Sequence, residues 1–167
     1  MNTRDQSLAR VRLVAFDIDG VFTDGRFYLS NDGVESKAFH THDGYGVRQL
    51  LGAGLNVAII SGRKSAAVEQ RMSELGVRHV IQGISDKVAA FETLIAELEI
   101  DEADAVYVGD DLPDLPLLRR VGVSVAVNNA HDEVKTACDY TTDRAGGFGA
   151  VREVCDLVLN ARQKIES

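Results

Sequence analysis

The chain of 167 residues has no long apolar run and only two cysteines. No run reaches the length of a membrane-spanning helix, and residues 1–10 are polar, without the apolar centre of a secretory signal. We therefore expect no membrane partner and a cytoplasmic location. Cys138 and Cys155 lack the paired spacing of metal ligands and suit a reducing compartment, so we assign them no chemistry.

The chain also has fewer basic than acidic residues. The 26 acidic and 18 basic residues give a net charge of −8, whose field repels nucleic acids and anionic membrane surfaces. This excludes a nucleic-acid partner. An anionic substrate would meet the same repulsion, so its site would need local cations or a metal ion. The length and the ordinary share of hydrophobic residues, 45%, predict a single globular domain over residues 1–167.

Short apolar runs alternate with segments of helical periodicity along the chain. The runs predict buried strands at 12–16, 56–60, 79–81, 105–108 and 123–127. The other segments predict helices at 47–51, 65–75, 86–98, 115–121 and 151–161. Because strands and helices alternate, we predict an α/β fold in which a central parallel sheet is flanked by helices.

One segment interrupts this alternation. Residues 25–29 and 34–39 flank the stretch 30–33, Ser-Asn-Asp-Gly, whose composition is typical of a turn. We predict a β-hairpin inserted after the first strand, at about 25–40. Since an exposed hairpin edge pairs readily with another chain, we interpret the insertion as an oligomerisation element. A hairpin folded onto its own domain remains the alternative.

Polar residues follow the predicted strands at the ends where open α/β sheets bind their ligands. In chain order these ends carry DIDG at 17–20, SGR at 61–63, DK at 86–87 and GDDLPD at 109–114. Each motif alone is weak, because aspartates and glycines are common in ordinary turns. Their joint occurrence, in order and at strand ends, predicts a catalytic site.

The two aspartates after the first strand can have separate tasks. If Gly20 lets the backbone turn at once, Asp17 and Asp19 both reach the pocket. Asp17 would attack phosphorus as a nucleophile. Asp19 would donate a proton to the leaving oxygen and later take one from the hydrolytic water.

A cation is needed to offset so many carboxylates. Hard oxygen ligands together with a bound phosphate favour Mg²⁺, and Asp110 is the ligand expected from the far strand. The ion would link Asp17 to a phosphate oxygen, while Lys87 and the Ser61 hydroxyl hold the remaining oxygens.

The motifs DIDGVFTDG, IISGR, DK and GDDLPD resemble, in order, those of the haloacid-dehalogenase (HAD) superfamily. TDG at 23–25, HDGYG at 42–46, SGRKS at 61–65 and GGFGAVREV at 146–154 are similar to one family, the 3-deoxy-D-manno-octulosonate 8-phosphate phosphatases. The resemblance spans nearly the whole chain. It implies a HAD-like Rossmannoid fold without a large cap domain and a homotetramer assembled through the hairpin. It also implies Mg²⁺-dependent hydrolysis of that sugar-acid phosphate through an aspartyl-phosphate, in lipopolysaccharide precursor synthesis.

The resemblance also implies roles for single residues. Asp17 would be the nucleophile and a magnesium ligand, Asp19 the acid/base and a ligand through its backbone carbonyl, and Asp110 the third protein ligand. Asp111 and Asp114 would orient water around the ion. The phosphoryl group would be held by two further residues, Ser61 and Lys87.

The remaining substrate contacts of the family fall on one stretch of chain and on the second motif and its neighbourhood. They are His40, Thr41, His42, Asp43, Gly44, Arg48, Gly62, Arg63 and Arg71. The chain departs from the family at His42, where arginine or lysine is common, and at Phe148 in the glycine-containing tail that precedes the last helix, at about 145–164. The resemblance leaves open whether that tail covers its own active site or a neighbour's.

Three other functions are weighed against this one. The related phosphatase of 2-keto-3-deoxynonulosonate 9-phosphate would use the same core residues, but SGRKS and Arg71 resemble the eight-carbon family. A catalytically idle HAD-like assembly module is disfavoured because Asp17, Asp19, Lys87 and Asp110 are all present. A signalling receiver domain also gathers aspartates around magnesium, but its paired acids are adjacent after the first strand, whereas this chain has D-x-D first and GDD late.

Overall fold

The computed structural model describes residues 3–166, so Met1, Asn2 and Ser167 of the predicted domain lie outside the described residues. The strands are β1 (Leu13–Phe16), β2 (Tyr28–Leu29), β3 (Glu35–Ser36), β4 (Asn56–Ile60), β5 (His79–Ile81), β6 (Ala105–Gly109), β7 (Val123–Ala126) and β8 (Tyr140–Thr141). Six of them form one sheet in the order β5-β4-β1-β6-β7-β8, and every neighbouring pair is parallel. The predicted parallel sheet is therefore confirmed.

The helices are α1 (Thr3–Arg10), α2 (Thr41–Gly52), α3 (Ala66–Leu75), α4 (Lys87–Leu98), α5 (Leu115–Leu118), α6 (Asp132–Ala137) and α7 (Ala150–Glu166). The sequence did not predict α1, α6 or β8, because each is short and buries few apolar side chains. Helix α2 begins six residues before its predicted start. His40 caps it, since the His40 Nδ1 accepts a hydrogen bond from the His42 N–H at 3.1 Å. In the part of the chain that the structure describes, no helix has both the length and the apolar character needed to cross a membrane.

Strand β1 lies in the middle of the sheet. All four of its residues are fully buried, and it pairs with β4 on one side and β6 on the other. Phe16 packs edge-on against Phe22 with the ring centroids 5.2 Å apart, which anchors the loop that follows β1 to the core. Whatever follows β1 is therefore flanked by the residues that follow β4 and β6.

The inserted hairpin is present, but its ladder is short. Strands β2 and β3 pair antiparallel through Tyr28 with Ser36 and Leu29 with Glu35, and the turn residue Gly33 has a φ of +79°. A two-stranded ladder with no third strand beside it holds few residues in register, which explains why the strands are shorter than predicted. Tyr28, Leu29 and Val34 expose 69%, 65% and 62% of their surface.

Helix α7 closes the domain against α1 and α2. The buried residues along it are Ala150, Val151, Val154, Cys155, Val158 and Ala161. The buried Asp43 of α2 ties the two helices together, because its Oδ1 accepts a hydrogen bond from the Arg152 N–H at 2.9 Å.

Gly122, just before β7, is expected to tolerate no side chain. A Cβ atom there would lie 1.9 Å from the Ala103 carbonyl oxygen, so the backbone would have to move. We expect Gly122→Ala to lower the free energy of unfolding by about 2 kcal/mol, measured by urea titration with circular dichroism. Gly52→Ala is the matched control, because a Cβ in that helical position meets open space. Equal losses in the two variants would contradict this account.

Candidate active site

The carboxyl ends of β1, β4 and β6 open into a cavity of about 290 Å³. Its lining residues are Asp17, Asp19, Gly25, Ser61, Gly62, Arg63, Lys87, Asp110, Asp111, Pro113 and Asp114. Each of the four sequence motifs contributes to this set. Consecutive parallel strands end at the same edge of the sheet, and this edge is where the motifs meet.

The loop after β1 turns at once, as the sequence predicts. Gly20 has a φ of +85°, and a Cβ there would lie 1.8 Å from the Asp110 Oδ2. Only glycine satisfies both conditions, positive φ and close approach of a carboxylate. Thr23 then fixes the turn, because its Oγ1 accepts hydrogen bonds from the N–H groups of Gly20 and Gly25 at 3.3 and 3.1 Å. Asp17 and Asp19 both reach the cavity as a result.

Lys87 joins the carboxylates at the base of the cavity. Its Nζ lies 3.2 Å from the Asp17 Oδ1, donates to the Asp114 Oδ1 at 2.7 Å, and donates to the Tyr107 hydroxyl at 3.1 Å. Burial by itself lowers the pKa of Lys87, but the charges of Asp17 and Asp114 outweigh burial and raise it. Lys87 therefore stays a cation beside Asp17.

The Asp114 carboxylate is fixed by hydrogen bonds from four donors. Its Oδ1 accepts from Lys87 and, at 2.6 Å, from the Tyr107 hydroxyl, while its Oδ2 accepts from the N–H groups of Asp110 and Asp111. A carboxylate with four donors is a poor candidate for direct metal binding. It is well suited to fixing Lys87 and the loop after β6, and its role in orienting water around an ion stays a prediction. Asp111, by contrast, is exposed and caps the short 3₁₀ turn that follows it.

Repulsion among the carboxylates is only partly neutralised. Burial, followed by the charge of Asp114, raises the pKa of Asp17 from 3.8 to about 7, although Lys87 opposes the rise. Burial, followed by the charges of Asp17 and Asp114, raises the pKa of Asp110 to about 8. Oxygens of Asp17, Asp110 and Asp114 all lie within 4.8 Å of one another.

These carboxylates fit a hard divalent cation. Buried oxygen ligands that resist ionisation without a counter-charge are suited to Mg²⁺. Since Asp114 already has its donors, Asp17 and Asp110 are the side chains able to bind such an ion.

Asp19 also lines the cavity, but its ion-pair partners differ from those of Asp17. Its side chain is 22% exposed, and its Oδ1 forms an ion pair with Lys37, which comes from the end of the hairpin. Arg63 stands at the cavity rim, with its Nε 3.9 Å from the Asp19 Oδ2 and an Nη2 donating to the Glu35 Oε2 at 2.7 Å. The Arg63 guanidinium also covers the Phe27 ring at 4.2 Å.

Sequence reasoning missed Lys37, Glu35 and Tyr107. Lys37 and Glu35 read as ordinary exposed residues of a hairpin, and no local pattern indicates that they meet Asp19. Tyr107 is the only residue with a polar side-chain group in the run of β6, which is a weak signal for a buried hydrogen-bonding role.

Several predicted substrate contacts do not line this cavity in the single chain. They are His40, Thr41, His42, Asp43, Gly44, Arg48 and Arg71. Arg48 donates to the Glu74 carbonyl oxygen at 3.1 Å, and Arg71 pairs with the Glu74 carboxylate at 3.4 Å. His42 lines a different cavity, of about 650 Å³, beside Arg152 on α7. Their contact with substrate stays a prediction.

The glycines of the tail pack against the loop that follows β1 in the same chain. The Gly147 N–H donates to the Val21 carbonyl oxygen at 3.1 Å, and a Cβ at Gly146 would lie 1.7 Å from the Gly20 carbonyl oxygen. Phe148 is exposed beyond them. Within residues 3–166 the tail contributes no lining residue to the cavity of its own chain.

Metal-free stability should depend on pH through Asp110. Because the folded-state pKa of Asp110 and of Asp17 is raised, their contribution is fully present below about pH 4 and is lost as the pH rises through about 8. Without magnesium, wild type should therefore melt progressively lower than Asp110→Asn as the pH rises over this range. At the upper end, Mg²⁺ should raise the melting temperature of wild type and leave that of Asp110→Asn unchanged.

Asp101→Asn is the control for this experiment. Asp101 is an exposed cap that asparagine can replace, so its variant should respond to Mg²⁺ as wild type does. A magnesium response retained by Asp110→Asn would rule out Asp110 as a ligand.

Comparison with known proteins gives this geometry a context. A family of haloacid dehalogenase-like hydrolases matches residues 79–153. The 3-deoxy-D-manno-octulosonate 8-phosphate phosphatase of Yersinia pestis is 47% identical over 161 residues, which are 96% of this chain and 86% of that protein. That of Escherichia coli K12 is 49% identical over 156 residues, 93% of this chain and 83% of that protein.

A solved structure agrees as well. The crystal structure of the Moraxella catarrhalis phosphatase of the same name, in complex with magnesium, phosphate and KDO, superimposes with a TM-score of 0.95 at 42% identity. The match covers 99% of this chain and 95% of that one, so the predicted HAD-like fold is confirmed. With this identity over nearly its whole length, the chain belongs to the family of 3-deoxy-D-manno-octulosonate 8-phosphate phosphatases within the haloacid dehalogenase-like hydrolases.

Proposed function

We propose that the protein is a Mg²⁺-dependent phosphatase that converts 3-deoxy-D-manno-octulosonate 8-phosphate into 3-deoxy-D-manno-octulosonate and phosphate. The observation that carries the proposal is the buried Asp17 carboxylate, held against Lys87 and beside Asp110 at the base of an open cavity. A carboxylate so placed serves as a nucleophile toward phosphorus. The substrate follows from the relatives, whose names state it.

Substrate binding begins with the phosphate group. Lys87 and Ser61 both line the cavity and offer a positive charge and a hydroxyl, which supports binding of the phosphoryl oxygens by these two residues. Arg63 stands at the rim, where it meets the anionic body of the substrate. These two cations locally offset the repulsion between an anionic substrate and a protein with a net charge of −8.

The reaction then proceeds in two displacements. The Asp17 Oδ1 already accepts from the Ile18 N–H at 2.8 Å and faces Lys87, so we assign the attack to Oδ2. A bond forms between Oδ2 and phosphorus while the bond to the sugar oxygen breaks, and Asp19 gives its proton to that oxygen. Water, losing a proton to Asp19, next attacks phosphorus and releases phosphate and the Asp17 carboxylate.

Asp17, Asp110 and the backbone carbonyl of Asp19 are the groups we assign to Mg²⁺. When bound, the ion supplies positive charge that offsets repulsion between the anionic nucleophile and the anionic phosphate. Asp114 acts one step removed, by holding Lys87 and the backbone of Asp110.

We further propose that the working enzyme is a cytoplasmic homotetramer of single-domain chains, assembled through the hairpin. The exposed apolar side chains of Tyr28, Leu29 and Val34 support assembly, since monomers seldom leave such a patch uncovered. A neighbour would bring in the arginines that one chain keeps away from its own cavity. The free thiols of Cys138 and Cys155 suit a reducing compartment. From the proposed product, we infer a place in lipopolysaccharide precursor synthesis.

Phosphate release from a panel of substrates tests the chemistry and the substrate together. We expect strong preference for 3-deoxy-D-manno-octulosonate 8-phosphate over 2-keto-3-deoxynonulosonate 9-phosphate and hexose phosphates, and loss of turnover when magnesium is chelated. Asp17→Asn should fold normally and lose activity by about 10³-fold or more. Asp101→Asn, an isosteric change outside the cavity, should retain it.

The outcomes separate the alternatives. Preference for the nine-carbon substrate would keep the mechanism and change the substrate. Substantial activity in Asp17→Asn would overturn the nucleophile, and no hydrolysis of any phosphate by wild type would favour an idle assembly module.

The assembly proposal predicts that charge on the hairpin breaks the tetramer. In the double variant Leu29→Glu with Val34→Glu, carboxylates would have to be buried in the interface, so the mass measured by light scattering should fall below that of wild type. The double variant Thr93→Glu with Ala96→Glu places the same two charges on exposed positions of α4 and should leave the mass unchanged. A wild-type protein with the mass of one chain would contradict assembly altogether.

A further inference from the structure

Lys37 is a buried cation that the mechanism above does not use. It follows β3 at the end of the hairpin, and its side chain is 0% exposed. Its Nζ forms the ion pair with the Asp19 Oδ1, lies 3.5 Å from the Glu35 Oε1, and stands 5.5 Å from the centre of the Phe27 ring. Burial of an ammonium group is unfavourable unless opposite charge compensates it, and two carboxylates do so here.

A contact with substrate does not explain this lysine. Lys37 is covered by protein and is not among the residues that line the cavity, so it cannot reach a ligand there. Its contact with the site is through Asp19, whose own side chain is partly exposed. Lys37 can therefore affect the reaction only through the Asp19 carboxylate.

A partly exposed aspartate in a loop can adopt several rotamers, and proton transfer requires one of them. In the described chain, Lys37 is the only hydrogen-bond donor to the Asp19 carboxylate. It engages Oδ1 and leaves Oδ2 toward the cavity rim. Arg63 cannot replace it, because the Arg63 side chain is 49% exposed and its Nε stays 3.9 Å away.

Resting on the function proposed above, we propose that Lys37 is a positioning residue, which fixes the Asp19 carboxylate for proton exchange with the leaving oxygen and the hydrolytic water. Glu35 belongs to the same group of ion pairs. Its Oε1 lies beside Lys37 and its Oε2 accepts from Arg63, so the hairpin contributes both the cation and the carboxylate that keeps the cation in place. The hairpin is thereby tied to the acid/base group as well as to any partner chain.

Lys37→Met removes the charge while keeping the length of the side chain. Its effect on proton transfer can be measured by comparing substrates with two kinds of leaving group. The sugar alkoxide needs a proton from Asp19, whereas p-nitrophenolate leaves phosphorus without one. With the sugar-acid phosphate, kcat should fall by about 10²-fold while KM stays close to that of wild type. With p-nitrophenyl phosphate, the pre-steady-state burst of p-nitrophenolate should persist even though later turnover slows, because only the second displacement then needs Asp19.

The matched control is Lys164→Met, which breaks an exposed pair with Asp5 and should change neither substrate's kinetics. Lys37→Gln keeps a donor for the Asp19 Oδ1 and should recover part of the lost kcat. If circular dichroism shows the methionine variant to be unfolded, the glutamine variant is compared with wild type in the same two assays.

The proposal predicts that Lys37→Met lowers turnover of the sugar-acid phosphate while the burst of p-nitrophenolate persists. Unchanged kinetics, equal losses of burst and sugar-phosphate turnover, or a raised KM at constant kcat would each overturn a positioning role for Lys37. Failure of wild type to hydrolyse any phosphate would instead overturn the proposed function, and the two failures are distinguishable because the wild-type assay is read first.

Discussion

The structure depends on the burial of one carboxylate, Asp17, at the end of the central strand. Its position follows from the sheet order, since β1 has β4 on one side and β6 on the other. The neighbours that this order imposes are Ser61 after β4 and Asp110 after β6. The same placement that brings a hydroxyl to the site also brings a second carboxylate, so binding of an anion there demands compensating charge.

That charge is arranged as two separate ion-pair groups. One joins Lys87 to Asp17 and Asp114, with Tyr107 beneath it, and draws its members from α4, β6 and the loops after β1 and β6. The other joins Lys37 to Asp19 and Glu35 and belongs to the hairpin. In each group a lysine between two carboxylates is held in one place, so Asp17 and Asp19 have different surroundings although a single residue separates them. Different surroundings are what a nucleophile and an acid/base require.

The sequence predicted the parallel sheet and the motifs around the cavity because both follow from local patterns. An apolar run of four or five residues indicates a buried strand, and the rule that ligands bind at carboxyl ends then places DIDG, SGR and GDDLPD together. Helix α1 and strand β8 were missed because their signals are short. Lys37 was missed for a different reason, namely that its partner Asp19 is 18 residues away and only the fold of the hairpin brings them together.

The residues of α2 show the limit of motif transfer. His42 and Arg48 match the family's substrate contacts by position, yet the packing of α2 against α7 and α3 directs them away from the cavity of their own chain. Among residues 3–166, Arg63 and Lys87 are the cations that line the cavity, so the further arginines expected at the substrate are absent from it in the single chain. The hairpin exposes its apolar side chains while its buried lysine contacts Asp19. If the hairpin is the assembly surface that we propose and Asp19 the acid/base, the chemistry of one subunit would depend on its contact with the next.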